Sequence, residues 1–195
     1  KTETWFHQGN DVAVDVNTPT DATGYTKGKP YRVRVSDTTG KIFTKTEITY
    51  NTDQDTDTSV FNPPSVVQSW FGSDTSARTT KTEYFSYDAK GNVTEERQHG
   101  DLSVNGDERT FQRSFSTPGD PWIAGLQTEE YIYDGLGTGG TNLARTSFYY
   151  DTGATCSSAT GGTDGSDNQI PATGNLTKTK RWLLTNPTAS PQTRF

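Results

Sequence analysis

The run Thr82-Glu83-Tyr84-Phe85-Ser86-Tyr87-Asp88-Ala89-Lys90-Gly91-Asn92-Val93-Thr94 confines this chain to extended structure, because it reads as strand, turn and returning strand in immediate succession. Phe85 and Tyr87 lie two residues apart and share one face of a strand, while Tyr84, Ser86 and Asp88 take the other. Asp88-Ala89-Lys90-Gly91 predicts a type I turn. Its Asp carboxylate accepts backbone N–H groups at the first position, and its Gly adopts positive φ at the fourth.

The unit recurs in looser form. Tyr131-Ile132-Tyr133-Asp134 and Phe148-Tyr149-Tyr150-Asp151 place aromatics as Phe85 and Tyr87 are placed. After Asp134 the turn is stretched by glycines before Asn142-Leu143 resumes the pattern. After Asp151 it is split by a long insert, and Gly174-Asn175-Leu176-Thr177 supplies what Gly91-Asn92-Val93-Thr94 supplies in the parent unit. Asp37-Thr38-Thr39-Gly40-Lys41-Ile42 repeats the turn alone. Alignment of these copies predicts Phe85, Tyr87, Tyr131, Tyr133, Phe148 and Tyr150 on one side of a continuous sheet.

At Tyr87-Asp88-Ala89-Lys90-Gly91-Asn92-Val93-Thr94 the sequence resembles the Rhs or YD-repeat family of polymorphic bacterial toxins, whose repeats centre on Tyr-Asp-x-x-Gly-Asn/Arg. Thr2-Glu3-Thr4-Trp5-Phe6-His7-Gln8-Gly9 and Lys27-Gly28-Lys29-Pro30-Tyr31-Arg32-Val33 are similar to the segment that opens the repeat region in the B component of insecticidal toxin complexes and in related large Rhs proteins. The resemblance implies an all-β fold of antiparallel hairpins forming part of a spiral β-sheet shell. It assigns leading hairpins to residues 1–80 and repeats to 81–195, with a flexible insert near 152–173. Phe85, Tyr87, Asp88, Gly91, Tyr131, Tyr133, Asp134, Phe148, Tyr150, Asp151 and Gly174 are then structural repeat positions. The implied partners are other repeats and an enclosed segment of the same polypeptide, together with toxin-complex subunits, and the implied location is secreted or at the cell surface.

Composition agrees with a sheet that has little apolar interior. Only 28% of the 195 residues are hydrophobic, yet 11% are aromatic, which a disordered chain does not carry. The net charge of −6 repels phosphates and argues against nucleic acid or an anionic membrane as partner. No apolar run reaches the length of a membrane span. The lack of methionine and the start at Lys1, inside a strand pattern, are expected of a piece of a longer protein. Cys156 is the one cysteine, so no internal disulfide framework exists; it sits in a Ser/Gly-rich insert with no neighbouring histidine.

In chain order, strands are predicted at Thr2–His7, Val12–Val16, Tyr31–Val35, Lys41–Tyr50, Val66–Phe71 and Leu176–Leu184. Asn105-Gly106 predicts a two-residue hairpin joining Leu102-Ser103-Val104 to Arg109-Thr110-Phe111. Asn51-Thr52-Asp53-Gln54-Asp55-Thr56-Asp57 alternates carboxylates at calcium-loop spacing. Its sixth position is Thr58 and its twelfth Pro64, where a helix-loop-helix calcium loop needs Gly and Glu. Asp53, Asp55 and Asp57 are therefore read as a solvated acidic loop, with a weak calcium site as the alternative, and no other cofactor is expected.

Catalytic constellations are poor. His7 and His99 stand in no metal or nucleophile motif, and the adjacent pairs Glu95-Glu96 and Glu129-Glu130 point to opposite faces of a strand. Asp120-Pro121-Trp122-Ile123-Ala124-Gly125-Leu126 has the wrong spacing for the Rhs autoproteolytic motif. The expectation is a structural shell segment, not an enzyme. The alternative is a carbohydrate- or protein-binding β module that uses exposed Trp5, Trp70, Trp122 or Trp182.

Overall fold

A computed structural model describes residues 1–8, 26–51, 63–72, 78–116, 125–150, 174–183 and 192–194. Among them there are eleven strands and no helix. The first six are β1 (Thr2–Phe6), β2 (Pro30–Ser36), β3 (Ile42–Tyr50), β4 (Pro64–Phe71), β5 (Arg78–Tyr87) and β6 (Val93–Asp101). The rest are β7 (Arg109–Phe115), β8 (Gln127–Asp134), β9 (Asn142–Tyr150), β10 (Leu176–Leu183) and β11 (Gln192–Arg194). Strand order in the sheet follows chain order without a crossover, so the topology is an open antiparallel meander. The all-β expectation holds. β11 was not expected, and the proposed strand at Val12–Val16 falls outside the described residues.

Contacts divide the chain into two units: Lys1–Phe85 with Glu96–Arg109, and Ser86–Glu95 with Thr110–Phe195. In the first unit the register from β1 to β5 pairs Glu3 with Arg34, Arg32 with Glu47, Lys45 with Trp70, Gln68 with Lys81 and Val66 with Glu83. Directly paired residues share a face, so one face is a row of charges and rings. The other face carries Thr4, Val33, Thr46, Ser69 and Thr80, again in register, with Thr46 and Ser69 hydroxyls 3.0 Å apart. Pro64 opens β4 as its first residue, where the missing N–H costs the ladder least. Most strand residues whose burial is described are half-buried. Ala144, Tyr150 and Pro63 are the apolar residues buried among those described. The low apolar content is thus spent along two faces of a sheet rather than concentrated in a core.

Two turns share one device. At the first, the Asp37 carboxylate accepts N–H groups from Thr39 (2.8 Å) and Lys41 (2.9 Å), and the Asp37 N–H donates to the Lys41 carbonyl at 3.0 Å. At the second, Asp88 accepts N–H groups from Lys90 and Asn92, both at 2.9 Å, and donates its own N–H to the Asn92 carbonyl at 3.0 Å. Gly40 (φ 91°) and Gly91 (φ 86°) fill the position that demands a left-handed backbone. Asp37 lacks a preceding Tyr, yet its turn is built in the same way. The motif is therefore a turn rule before it is a repeat signature.

The Asn105-Gly106 expectation is corrected. β6 ends at Asp101 and β7 begins at Arg109, and residues 102–108 form a longer loop instead of a two-residue turn. Acidic side chains decide this. The Asp101 carboxylate takes the Ser103 N–H (3.0 Å) and hydroxyl (2.8 Å), Asp107 takes the Asp101 N–H (2.9 Å), and Glu108 takes the Gly106 N–H (2.8 Å). These local bonds compete with the hairpin ladder and win.

Candidate functional site

The chemistry-bearing side chains stand in cross-strand ladders. In the first unit Glu3 sits between Lys1 (2.6 Å) and Arg34 (2.7 Å), and Glu47 lies 3.0 Å from Arg32 and 3.4 Å from Lys45. Glu83 pairs with Lys81 and with His99 Nε2 at 3.1 Å. Each carboxylate is flanked by two cationic or protonatable partners, one two residues away in sequence and one brought by the register from the neighbouring strand. Burial works to raise the Glu83 carboxyl, but bonds from Lys81 and His99 outweigh it and hold the group below its ordinary value.

The rings are woven into the same ladders. Arg34 stands over Trp5 at 5.2 Å, Lys45 over Trp70 at 3.8 Å and Arg97 over Phe85 at 3.3 Å from the ring centroid. In the second unit the Arg145 guanidinium lies between Tyr131 (5.1 Å) and Trp182 (5.0 Å) while pairing with Glu129. Glu129 also accepts the Tyr131 hydroxyl at 2.8 Å and that of fully buried Ser147 at 3.4 Å. Glu130, its sequence neighbour, turns to the opposite face and pairs with Arg113 at 3.0 Å. The two carboxylates share no substrate space.

His7 is buried, against Tyr31 (5.0 Å) and Tyr50 (6.0 Å), with the Lys29 ammonium 5.0 Å over Tyr50. Tyr50 donates its hydroxyl to the Pro30 carbonyl at 2.8 Å. Burial lowers Lys29 and raises Tyr50 from their ordinary values. A shallow cavity of about 390 Å³ lies beside Tyr50, Ser65, Glu83 and Phe85.

The repeat positions fall as follows. Asp88 and Gly91 build the turn already described. Tyr131 and Tyr133 stack with centroids 6.2 Å apart on β8. Asp134 donates its N–H to the Thr141 carbonyl at 2.9 Å, so the glycine-stretched loop closes on the same kind of bond as Asp88 and Asn92 do, three residues later. Gly140 is required there, since a Cβ would stand 1.8 Å from the Asp134 carbonyl oxygen. Gly174 has φ 86°. Asp151, Cys156, Trp122 and the acidic trio Asp53, Asp55 and Asp57 lie outside the described residues.

One expectation fails. The β8–β9 register sets Tyr131 opposite Arg145 and Ile132 opposite Ala144. Phe148 and Tyr150 share parity with Ala144, so they occupy the face opposite Tyr131 and Tyr133. Nor is Phe85 a core residue: it is 56% exposed, whereas Tyr150 is 6% exposed and donates its hydroxyl to the Gln127 carbonyl at 2.7 Å. Sequence reading also missed Thr110. Fully buried, it donates to the Gly135 carbonyl (2.9 Å) and accepts the Gly137 N–H (2.7 Å), pinning the glycine loop. No local signal marks it, because its partners lie in a loop distant in sequence.

No protein-family model matches the sequence, and no curated protein does. The fold is similar to a chain in the crystal structure of TcdB2-TccC3-Cdc42, with a TM-score of 0.54 over 80% of this chain at 13% identity. A chain in the crystal structure of TcdB2-TccC3 gives a TM-score of 0.53 at the same coverage and identity. This chain spans 10% of the length of either. At such identity the likeness is one of fold alone.

Proposed function

We propose that this chain is a stretch of β wall in a large secreted Rhs-like protein, where successive hairpins help to enclose an effector or toxin segment of the same polypeptide. The observation that carries the reading is the crossover-free meander, with ladders of ion pairs and rings in place of an apolar core among the described residues. Such a sheet lengthens by adding hairpins and needs no second layer of its own, which suits a wall better than a compact domain. The fold likeness to chains of TcdB2-TccC3, of which this length is a tenth, supports the same reading. On it, the segment's partners are neighbouring repeats, the enclosed segment and toxin-complex subunits. The segment itself is not an enzyme, holds no cofactor, and inserts into no membrane.

The binding-module alternative is disfavoured by particular contacts. A sugar stacks on an open ring face, and Trp5, Trp70 and Trp182 each have a cation of this chain over the ring. Limited proteolysis of the full polypeptide carrying this sequence tests the wall. The expected result is that the enclosed segment survives under native conditions as long as the repeats do. Rapid loss of every other segment while the repeats persist rejects enclosure, and specific glycan binding by this chain favours the binding module.

A further inference from the structure

We propose that Asn105 is a site of spontaneous covalent modification, converted to aspartate and isoaspartate through a succinimide closed by the Gly106 nitrogen, and that the Glu108 carboxylate restrains the reaction. Asn105-Gly106 is the one Asn-Gly step in the chain. Every other asparagine is followed by a residue whose side chain crowds the attacking nitrogen, or by a proline, which has no N–H to lose. Here that crowding is absent. Both residues are exposed, and a Cβ placed on Gly106 would meet nothing beyond its chain neighbours within 4 Å. Gly106 stands at φ 91°, a left-handed conformation that glycine adopts freely. The loop is pinned on either side of the pair: Val104 donates its N–H to the Asp101 carbonyl at 2.8 Å, and Asp107 accepts the Asp101 N–H at 2.9 Å. Asn105 and Gly106 therefore form the open tip of a fixed frame.

In the reaction the Gly106 nitrogen gives its proton to solvent base and attacks Asn105 Cγ. The new N–Cγ bond closes the succinimide ring, the Cγ–Nδ2 bond breaks, and Nδ2 leaves as ammonia with a proton taken from water. Water then opens the ring at either carbonyl, giving aspartate or isoaspartate. Glu108 opposes the first step. Its Oε2 accepts the Gly106 N–H at 2.8 Å, and a charge-assisted bond of this kind stabilises the N–H and aims it at the carboxylate. A fixed negative charge there also disfavours the amide anion that has to form. The bond is exposed, so local opening releases the N–H and the site is slow, not closed. Conversion adds a further acid beside Asp101, Asp107 and Glu108, and as isoaspartate it lengthens the backbone of the loop by one methylene. The inference needs only residues 101–108 and stands apart from the wall reading.

The test incubates the folded chain at neutral pH beside a synthetic peptide of residues 98–109. Trypsin releases that same peptide from the chain with Asn105 as its one asparagine, so mass spectrometry follows both, and an isoaspartyl methyltransferase scores the isoaspartate. Conversion at Asn105 is expected in the folded chain, at least about tenfold slower than in the free peptide. Glu108→Ala is expected to speed it at least about fivefold with an unchanged far-ultraviolet spectrum. Where alanine disturbs the loop, Glu108→Gln keeps the shape, loses the charge and serves in its place. Ser103→Ala removes a hydroxyl bonded to Asp101 in the same loop, leaves the Gly106 N–H alone, and is expected to convert at the wild-type rate. An Asn105 that stays intact in both the wild type and Glu108→Ala after the peptide has fully converted overturns the modification site. A folded chain that converts as fast as the peptide, folded Glu108 variants no faster than the wild type, or equal acceleration by Ser103→Ala overturns the restraint by Glu108.

Discussion

Asp88 holds Asn92 twice: Oδ1 accepts the Asn92 backbone N–H and Oδ2 accepts its side-chain amide, both at 2.9 Å. With the Lys90 N–H also on Oδ1, the carboxylate occupies the centre of the turn that joins β5 to β6. Asp88→Ala strands these donors and is expected to cost about 1–2 kcal/mol. Gly91→Ala forces an L side chain to φ 86° and is expected to cost about 1 kcal/mol. Urea unfolding of both variants measures this, and an unchanged midpoint for Asp88→Ala would remove the turn from the stability argument.

Stability is expected to fall with acid, and the turns supply part of the reason. Bonds from the Thr39 hydroxyl and nearby N–H groups lower Asp37, and bonds from Ser103 lower Asp101. At Asp88 burial acts to raise the carboxyl, but the bonds from Asn92 and Lys90 outweigh it and leave the group lowered. A carboxyl lowered in the folded state stabilises the protein above its unfolded value, here near 3.8, and loses that contribution as pH falls through the folded value. Melting temperature against pH should be level above the ordinary carboxylate range and drop below it. Asp37→Asn with Asp88→Asn should flatten the drop.

Arg145→Lys keeps the charge but loses the planar group that fits between Tyr131 and Trp182 and pairs with Glu129. A loss of roughly 1 kcal/mol is expected, together with a change in Trp182 emission, measured against the parent in a background where the other tryptophans are replaced by phenylalanine. Equal stability and equal emission would show that the guanidinium is ornamental there.

Phe85 and Tyr150 were expected on one face of the sheet and should respond oppositely. Phe85→Ala removes an exposed ring under Arg97 and should cost less than about 1 kcal/mol. Tyr150→Ala empties a buried site and should cost roughly 3–5 kcal/mol. Tyr150→Phe, which leaves the Gln127 carbonyl without its donor, should cost about 1 kcal/mol. Thermal unfolding of the three variants orders them.

Much of this protein is written locally. Alternating Thr, Val and aromatic residues dictate strands, and Asp at the first turn position with Gly at the fourth dictates how Asp37-Gly40 and Asp88-Gly91 reverse the chain. These outcomes need no partner beyond four residues away, so reading the sequence finds them. The faces are a different matter. Side chains alternate with period two, and a shift of one residue in pairing moves a whole strand's set to the other side. The loop from Gly135 to Thr141 and the irregularity between Ile132 and Tyr133 set Tyr131 against Arg145, and with that the aromatics of β8 and β9 part company. Pairing also brought His99 to Glu83, seated Thr110 under the glycine loop, and placed Arg145 between two rings. Each joins residues whose neighbours in sequence carry no trace of the partner, so only register, a property of two strands at once, could decide them.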